Sequence, residues 1–160
     1  MISKKVILTG SFSVGKTSLF NRFINNKFDE KYMTTIGVKV NKKSIFVEER
    51  EVTLLLWDIA GEVGQEKVPT SYFLGTAGVI YVFDLNRPQT YLNIAKDLDY
   101  LRKLLPFVVI RVVGNKKDLL SDEQIAAVAE QISYPWDVLT SAKTGENVED
   151  LFLGLACEFV

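Results

Sequence analysis

The chain has 160 residues, 48% of them apolar, and its charges are mixed along its length, so we expect one globular domain over residues 1–160. The net charge of −1 gives no general attraction to nucleic acid or to an anionic membrane. The absence of histidine excludes Ser-His-Asp and Cys-His catalysis. The single cysteine excludes an internal disulfide and favours a reducing compartment.

Short apolar runs alternate with helix-length amphipathic segments along the chain. The runs are nearly continuous, which is typical of strands that are covered on both faces in a parallel sheet. They comprise residues 6–8, 52–57, 79–83, 108–113 and 138–139. The segments between them predict helices at residues 17–26, 88–105, 125–132 and 147–159.

Local signals indicate where three of these helices begin. Pro88 is a residue that the first turn of a helix tolerates well. Ser121 and Gln124 have the spacing of a capping box, in which side chain and backbone bond reciprocally. Asn147 belongs to the residue types that cap a helix through the side chain, so we expect it to cap the last helix.

One connection breaks the alternation of strands and helices. Residues 38–47 and 52–57 are joined by a segment that begins Glu48-Glu49-Arg50, which leaves no room for a crossover helix. The two runs must therefore pair antiparallel. We expect an α/β fold with a doubly wound, mostly parallel six-stranded sheet, one antiparallel edge strand and about five helices.

Residues 10–17 read GSFSVGKT and match the phosphate-loop pattern G-x-x-x-x-G-K-[ST] between a predicted strand and a predicted helix. Gly10 and Gly15 allow backbone conformations that other residues disfavour, so the loop can point several N–H groups at an anion. Lys16 would place a charge on the terminal phosphates, and the Thr17 hydroxyl would ligate Mg²⁺. The alternative is an accidental glycine-rich turn, against which the flanking strand and helix argue.

A second motif, NKKD at residues 115–118, follows an apolar run and so lies at the carboxyl end of a strand, where open sheets bind ligands. It resembles the N-K-x-D motif of Ras-like small GTPases, and residues 140–143 (TSAK) resemble their S-A-K motif. The resemblance implies that Asp118 accepts hydrogen bonds from the guanine N1–H and 2-amino groups, a pair that adenine lacks. A site built on such an acceptor can reject the other base by about 10⁴ or more.

Two further segments resemble the nucleotide sensors of the same family. Residues 58–62 (DIAGE) resemble the D-x-x-G motif, and residues 32–37 (YMTTIG) resemble the first switch loop. Loss of the γ-phosphate would release both segments, and a partner would read the difference. The resemblance runs from the first strand to the last helix, and motifs such as SAKTGENVED at residues 141–150 look most like Rab-type GTPases.

The resemblance implies the fold of P-loop NTPases, GTP or GDP as ligand and Mg²⁺ as the metal. The implied nucleotide-binding residues are Ser13, Val14, Gly15, Lys16, Thr17, Ser18, Phe28, Thr35, Gly61, Asn115, Lys116, Asp118, Ser141, Ala142 and Lys143. The implied metal ligands are Thr17, Thr35 and Asp58, and the candidate catalytic residues are Glu62, Gln65 and Lys16. For Phe28, a core contact at the end of a helix is the alternative to packing on the base.

Two residues depart from the family pattern. The residue after Gly61 is usually a glutamine that orients the attacking water. Here it is Glu62, whose carboxylate cannot donate to phosphate oxygens. We therefore expect slow intrinsic hydrolysis, with Gln65 as a substitute if the second switch is remodelled. Phe12 stands where the family usually carries a small residue and would obstruct an arginine from an activating protein; packing on the second switch is the alternative.

An aromatic patch and the single cysteine bear on whether the chain binds effector proteins or carries a lipid. Trp57, Val40 and Phe73 match the positions of an effector-facing aromatic patch in Rab-like proteins, with simple sheet packing of Trp57 as the alternative. Cys157 lies near the end of the chain, as a prenylated cysteine would, but a charged residue follows it. We expect Cys157 instead to be buried in the last helix together with Leu153.

These observations predict a guanine-nucleotide switch that hydrolyses GTP weakly and binds effector and regulator proteins through segments near residues 30–40 and 58–75. No apolar run is long enough to span a membrane. We expect a cytoplasmic monomer without a nucleic-acid partner, and any recruitment to membranes would go through partners. Two alternatives stay open: a GTP-binding interaction module with negligible hydrolysis, and an ATP-dependent small-molecule kinase that shares only the phosphate loop.

Overall fold

The computed structural model describes residues 2–28, 37–61 and 64–160. Six strands form one sheet in the order β2-β3-β1-β4-β5-β6. The strands are β1 (Ile2–Gly10), β2 (Val38–Val47), β3 (Arg50–Ile59), β4 (Thr76–Asp84), β5 (Val109–Asn115) and β6 (Val138–Leu139). Only β2 runs antiparallel to its neighbour in this described sheet, which confirms the predicted mostly parallel sheet with an antiparallel edge.

The hairpin between β2 and β3 is tighter than the sequence indicated. β3 already begins at Arg50, so Glu48 and Glu49 alone make the turn. Both have positive φ, 48° and 69°, as the two-residue turns that match the twist of paired strands require. Two glutamates, rather than the favoured Asn or Gly, occupy these positions.

The described residues contain four α-helices, where about five were expected. They are α1 (Lys16–Asn25), α2 (Ile94–Leu104), α3 (Asp122–Gln131) and α4 (Val148–Cys157). Pro88 does not open α2, because it starts a separate short 3₁₀ turn, Pro88–Thr90, and the α-helix begins only at Ile94. Within the same described ranges, no helix has the length and apolar character needed to cross a bilayer.

The core lies on both faces of the sheet, as the nearly continuous apolar strands predict. On β1, Val6 and Leu8 face a cluster shared with α1 and α4, in which Phe23 and Phe152 stack with ring centroids 3.9 Å apart. Ile7 faces the opposite cluster, which contains the buried stripe of α2. Because β1 is covered on both faces, it is held firmly at the centre of the molecule, and the loop that follows it starts from a fixed point.

Of the two predicted side-chain caps at helix starts, the structure confirms one and corrects the other. The capping box at α3 is confirmed: Ser121 Oγ accepts from the Gln124 amide, and the Gln124 side chain accepts from the Ser121 amide. Asn147 does stand directly before α4, with φ of 61°, but its side chain does not cap the helix. Its Nδ2 donates instead to the Leu139 carbonyl oxygen at 2.8 Å, so it ties the helix start to β6.

The prediction that Cys157 is buried is wrong, since the residue is exposed. The buried stripe of α4 consists of Val148, Leu151, Phe152, Leu155 and Ala156. This spacing of three and four residues places Leu153, which is 43% exposed, and Cys157 on the outer side of the helix. The apolar residues of α4 therefore extend beyond its buried face.

Candidate functional site

The carboxyl ends of the parallel strands meet at one edge of the sheet. Leu8 pairs with Asp58, and Gly10 pairs with Val82. Further along the same edge, Asp84 pairs with Asn115. The loops that follow β1, β3, β4 and β5 therefore start side by side, and this brings the distant sequence motifs into one site.

The phosphate loop connects β1 to α1 through backbone that other residues would not adopt. Gly10 has φ of 143°, and a Cβ there would lie 2.2 Å from the Val82 carbonyl oxygen. Gly15 has φ of 99°, and a Cβ there would lie 2.1 Å from Asn115 Nδ2. No described side chain caps the first turn of α1, which also contains no acidic residue. Its amide groups and the positive end of the helix therefore suit an anion.

Lys16 is a buried cation, 6% exposed, inside this loop. Its Nζ donates to the Ser11 carbonyl oxygen at 2.7 Å and to that of Gly10 at 3.4 Å. Burial lowers the pKa of Lys16 to about 8, and the negative charge of Asp58 acts in the opposite direction. A phosphate group would give this poorly solvated ammonium the counter-charge that favours its protonated form.

Two oxygen donors lie together beside the loop. Thr17 Oγ1 donates to Asp58 Oδ2 at 2.6 Å, and Asp58 is fully buried. Thr35, the third expected metal ligand, falls outside the described residues. Across the parts of the chain that are described, no group of three or more Asp, Glu, Cys or His residues could hold a metal. A hydroxyl and a carboxylate fit Mg²⁺, which takes few protein ligands and completes its shell with phosphate and water.

Asn115 joins three loops. Its Nδ2 donates to the Val14 carbonyl oxygen at 3.0 Å, across the phosphate loop. Its Oδ1 accepts from Thr140 Oγ1 at 3.0 Å and from the Ala142 amide at 3.3 Å. Asn115 is 1% exposed, so these bonds replace water. The amide therefore fixes the loops at residues 10–17, 115–118 and 140–143 relative to one another.

The other motif residues lie around Asn115. Lys116 has φ of 70°, and its Nζ donates to the Ser13 carbonyl oxygen at 2.8 Å. Asp118 Oδ1 accepts from Ser141 Oγ at 2.7 Å, which orients the carboxylate. The backbone oxygens of Ala142 and Lys143 accept from the guanidinium of Arg22, which is carried on α1. Helix α1, which begins in the phosphate loop, thus also holds the loop at residues 140–143.

The two remaining nucleotide candidates lie on and after α1. Ser18 is partly buried in the first turn of that helix. Phe28 follows the helix and packs, partly buried, against the core cluster that contains Phe23 and Phe152. The described contacts of Phe28 are therefore the helix-end core contacts that the sequence left as an alternative.

The second switch touches the phosphate loop at Gly61. A Cβ there would lie 2.6 Å from the Phe12 Cα and backbone nitrogen, so the two backbones are in direct contact. The Phe12 side chain remains 47% exposed. Glu62 lies outside the described residues.

Gln65 is fully buried, and its Oε1 accepts from Thr9 Oγ1 at 2.7 Å. Its backbone amide donates to Asp97 Oδ1 at 3.2 Å, and Tyr81 donates to the other oxygen of that carboxylate at 2.6 Å. These contacts hold Gln65 in the interior. A role of Gln65 in hydrolysis would require it to leave this position.

The aromatic patch differs from the expected one. Val40 is 51% exposed and Trp57 is partly buried, but Phe73 is only 1% exposed and belongs to the core, so the assignment of Phe73 to the patch is wrong. Tyr72 is the aromatic residue beside Trp57, with ring centroids 6.4 Å apart. Lys5 Nζ lies 3.7 Å from the Trp57 ring centroid and donates to the Tyr72 carbonyl oxygen at 2.6 Å.

Sequence reasoning missed Asp84 and Arg87. Asp84 is 1% exposed and lies 2.8 Å from Lys116 Nζ, measured to Oδ2. Arg87 donates from NH1 to the Phe12 carbonyl oxygen at 3.0 Å. A signal was present, since Asp84 ends an apolar strand as Asn115 does.

Comparison with known proteins gives matches along nearly the whole chain. The family model described as the Ras family matches residues 5–160. The Ras-related protein Rab-4 of Dictyostelium discoideum is 39% identical over 154 residues, which covers 93% of this chain and 75% of that protein. The Ras-related proteins Rab-4B of Rattus norvegicus and Homo sapiens are each 36% identical over 157 residues, with 95% of this chain and 74% of theirs covered.

Proposed function

Because this chain belongs to the Ras family of small GTPases, it is a GTP-binding switch that takes GTP or GDP with Mg²⁺, and we propose that residues 10–17, 115–118 and 140–143 form its nucleotide site. In this proposal residues 1–160 make a single small GTPase domain. The observation that carries the assignment is the triple contact of Asn115 with Val14, Thr140 and Ala142. It supports one continuous pocket for phosphates and base.

Each part of the nucleotide has a matching group. The phosphate-loop amides and Lys16 take the phosphates, and Thr17 and Asp58 hold Mg²⁺ together with Thr35. Asp118 reads guanine, and its hydrogen bond from Ser141 at 2.7 Å keeps the carboxylate in one orientation. Gly61 senses the γ-phosphate through its amide. The contact of Gly61 with Phe12 supports this role, because any shift of the phosphate loop reaches the second switch directly.

Competition binding tests the base assignment. Fluorescent GDP bound to the Mg²⁺-loaded protein is displaced by unlabelled GDP, GTP or ATP. We expect ATP to be weaker than GDP by about 10⁴ or more, because it leaves the Asp118 carboxylate unpaired. Asp118→Ala should lose this preference, whereas Asp99→Ala, which removes an exposed carboxylate paired with Lys103, should keep it. Equal affinities of wild type for ATP and GDP would refute the assignment and favour the kinase alternative.

We further propose that intrinsic hydrolysis is slow. Glu62 replaces the glutamine that orients water in the family, and in the role that the resemblance implies its charge would oppose the anionic phosphates. The buried position of Gln65, bonded to Thr9, gives no ready substitute. Phe12 is half exposed beside Gly61, and a side chain of this size would obstruct an arginine supplied by an activator. The alternative is an interaction module with negligible hydrolysis, for which the same residues argue.

Single-turnover phosphate release separates these two possibilities. Slow release supports a weak GTPase, and no release over many hours supports the interaction module. Glu62→Gln should accelerate release, because an amide can accept from water and donate to phosphate oxygens together. If neither Glu62→Gln nor Glu62→Ala changes the rate, Glu62 has no role in hydrolysis. GTP rather than GDP in the purified protein would independently indicate slow turnover.

Effectors and regulators are proposed to bind through the segments near residues 30–40 and 58–75. The partly exposed surface of Val40, Trp57 and Tyr72 supports this, since exposed aromatic residues are enriched at interfaces. We propose a cytoplasmic monomer that partners recruit to membranes. Light scattering checks the monomer, and effector selection by the GTP-analogue form over the GDP form checks the switch surface.

A further inference from the structure

Asp84 is a buried carboxylate at the carboxyl end of β4, between the phosphate loop and the base-reading loop. Its Oδ2 lies 2.8 Å from Lys116 Nζ and 3.9 Å from Arg87 NH1. Its Oδ1 accepts from the Asn86 amide at 2.8 Å. With a side chain only 2% exposed, Asp84 depends on these partners in place of water.

Lys116 and Arg87, the two cations beside Asp84, also donate hydrogen bonds to the phosphate loop. Arg87 NH1 donates to the Phe12 carbonyl oxygen at 3.0 Å, and Lys116 Nζ donates to the Ser13 carbonyl oxygen at 2.8 Å. In a trans peptide the C=O and the following N–H point in opposite directions. Because Arg87 and Lys116 hold these two oxygens on their own side, the amides of Ser13 and Val14 are directed to the opposite side of the loop, where they are available to an anion.

The segment that carries Arg87 is itself fixed. Thr90 is 2% exposed, and its Oγ1 donates to the Arg87 carbonyl oxygen at 2.7 Å. Thr90 Oγ1 itself accepts from the Asp84 amide at 2.8 Å. The turn from Asp84 to Thr90 thus positions the Arg87 backbone, and the guanidinium needs little further ordering to reach Phe12.

We propose that Asp84 and Arg87 are positioning residues for nucleotide binding: with Lys116 they form a clamp that fixes two peptide units of the phosphate loop and slows release of GDP. The proposal rests on the nucleotide site described above. Asp84 acts through the two cations and Arg87 acts through the Phe12 carbonyl, so neither needs to touch the nucleotide. Arg87 acts mainly on the phosphate end, because its hydrogen bond is to the Phe12 carbonyl oxygen and its link to Lys116 passes only through the 3.9 Å contact with Asp84.

The dissociation rate of fluorescent GDP, chased with excess GDP in Mg²⁺, tests the clamp. Arg87→Gln should accelerate release about tenfold, the size expected for one hydrogen bond that involves a charged group. Asp84→Asn should accelerate it by more, because both cations lose their carboxylate. Arg87→Lys, which keeps a cationic donor, should recover part of the loss. Asp99→Asn and Arg111→Gln, taken from the surface pairs with Lys103 and Glu158, are the matched controls and should leave the rate unchanged.

A readout specific to the phosphate loop excludes a merely structural effect. GMP lacks the β-phosphate, so Arg87→Gln should leave its affinity, measured by competition, unchanged while the affinity for GDP falls. Equal losses for GMP and GDP, or a GDP release rate within twofold of wild type, would overturn the clamp. If Asp84→Asn does not fold, the partly exposed Arg87 still decides the question. Failure of wild type to bind fluorescent GDP would instead refute the proposed nucleotide site.

Discussion

The buried side-chain amide of Gln65 predicts that the protein becomes more stable when this residue and its partner Thr9 are replaced by apolar residues. Gln65 is fully buried, and within the described part of the chain only one of the two polar atoms of its side chain has a hydrogen-bond partner. Its Oε1 accepts from Thr9 at 2.7 Å, whereas Nε2 has no hydrogen-bond partner among the residues that the structure describes. A buried donor without a partner costs about 1–3 kcal/mol. The folded state therefore carries a penalty that an apolar side chain of similar size would remove.

The perturbation is the pair Thr9→Val and Gln65→Leu. Thr9→Val alone leaves both polar atoms of the amide unpaired and should destabilise the protein by about 1–3 kcal/mol. Gln65→Leu alone removes the unpaired Nε2 but leaves the Thr9 hydroxyl without its acceptor, so the two effects roughly cancel. The double variant removes every polar atom of the contact. We expect it to be about 1–3 kcal/mol more stable than wild type, which is about 2–4 °C in melting temperature for each kcal/mol at this chain length.

Urea unfolding of the four proteins measures this cycle, at one fixed concentration of GDP and Mg²⁺ because ligand binding adds to stability. Equal GDP affinity of wild type and the double variant shows that the comparison is valid. The reasoning is refuted if the double variant is less stable than wild type or if the two substitutions act additively. Additivity would mean that Thr9 and Gln65 do not share a hydrogen bond in solution.

Three further predictions concern a contact, a titration and a cap. Gly61→Ala places a Cβ 2.6 Å from the Phe12 backbone. A non-hydrolysable GTP analogue should therefore lose about tenfold or more affinity relative to GDP in competition binding. Equal losses of affinity for the GTP analogue and for GDP would contradict this prediction. Burial raises the pKa of Asp97 above its ordinary 3.8, so the folded state holds this proton more tightly than the unfolded state. Relative to Asp97→Asn, wild type should therefore lose stability in urea unfolding as pH rises from about 4 to 7, and a constant difference would refute the shift. Ser121→Ala should cost about 1 kcal/mol in the same assay, because α3 loses its capping box, and no change would show that the cap is not formed in solution.

Much of the fold was predictable because the informative residues act locally or in runs. Continuous apolar runs predicted β1, β4 and β5, and the short segment after residue 47 predicted the antiparallel hairpin. The motifs that follow those strands meet at one edge because parallel strands end on the same side. Family resemblance added the identity of the ligand, which the fold alone does not provide.

What was missed depends on three-dimensional neighbours. Asp84 ends an apolar strand, but this signal alone does not reveal its role, which comes from Lys116 on a distant segment and from Arg87 three residues further along the chain. Tyr72 and Phe73 are adjacent aromatic residues, and which of them faces Trp57 depends on the short 3₁₀ turn Thr70–Phe73. Cys157 and Leu153 continue the apolar composition of α4, but the sheet covers only one side of that helix.

The position of β1 at the middle of the sheet also bears on how the protein is made. Synthesis begins at the amino terminus, so the strand that leads into the phosphate loop emerges before both of its neighbours. Gly10 cannot pair until Val82 has been made, and Val14 cannot accept from Asn115, 101 residues further along, until that residue has been made. Pairings across such distances form slowly. During synthesis the central strand therefore keeps two unpaired edges until β3 and β4 have been made, and the phosphate loop cannot reach its contact with Asn115 until β5 has followed.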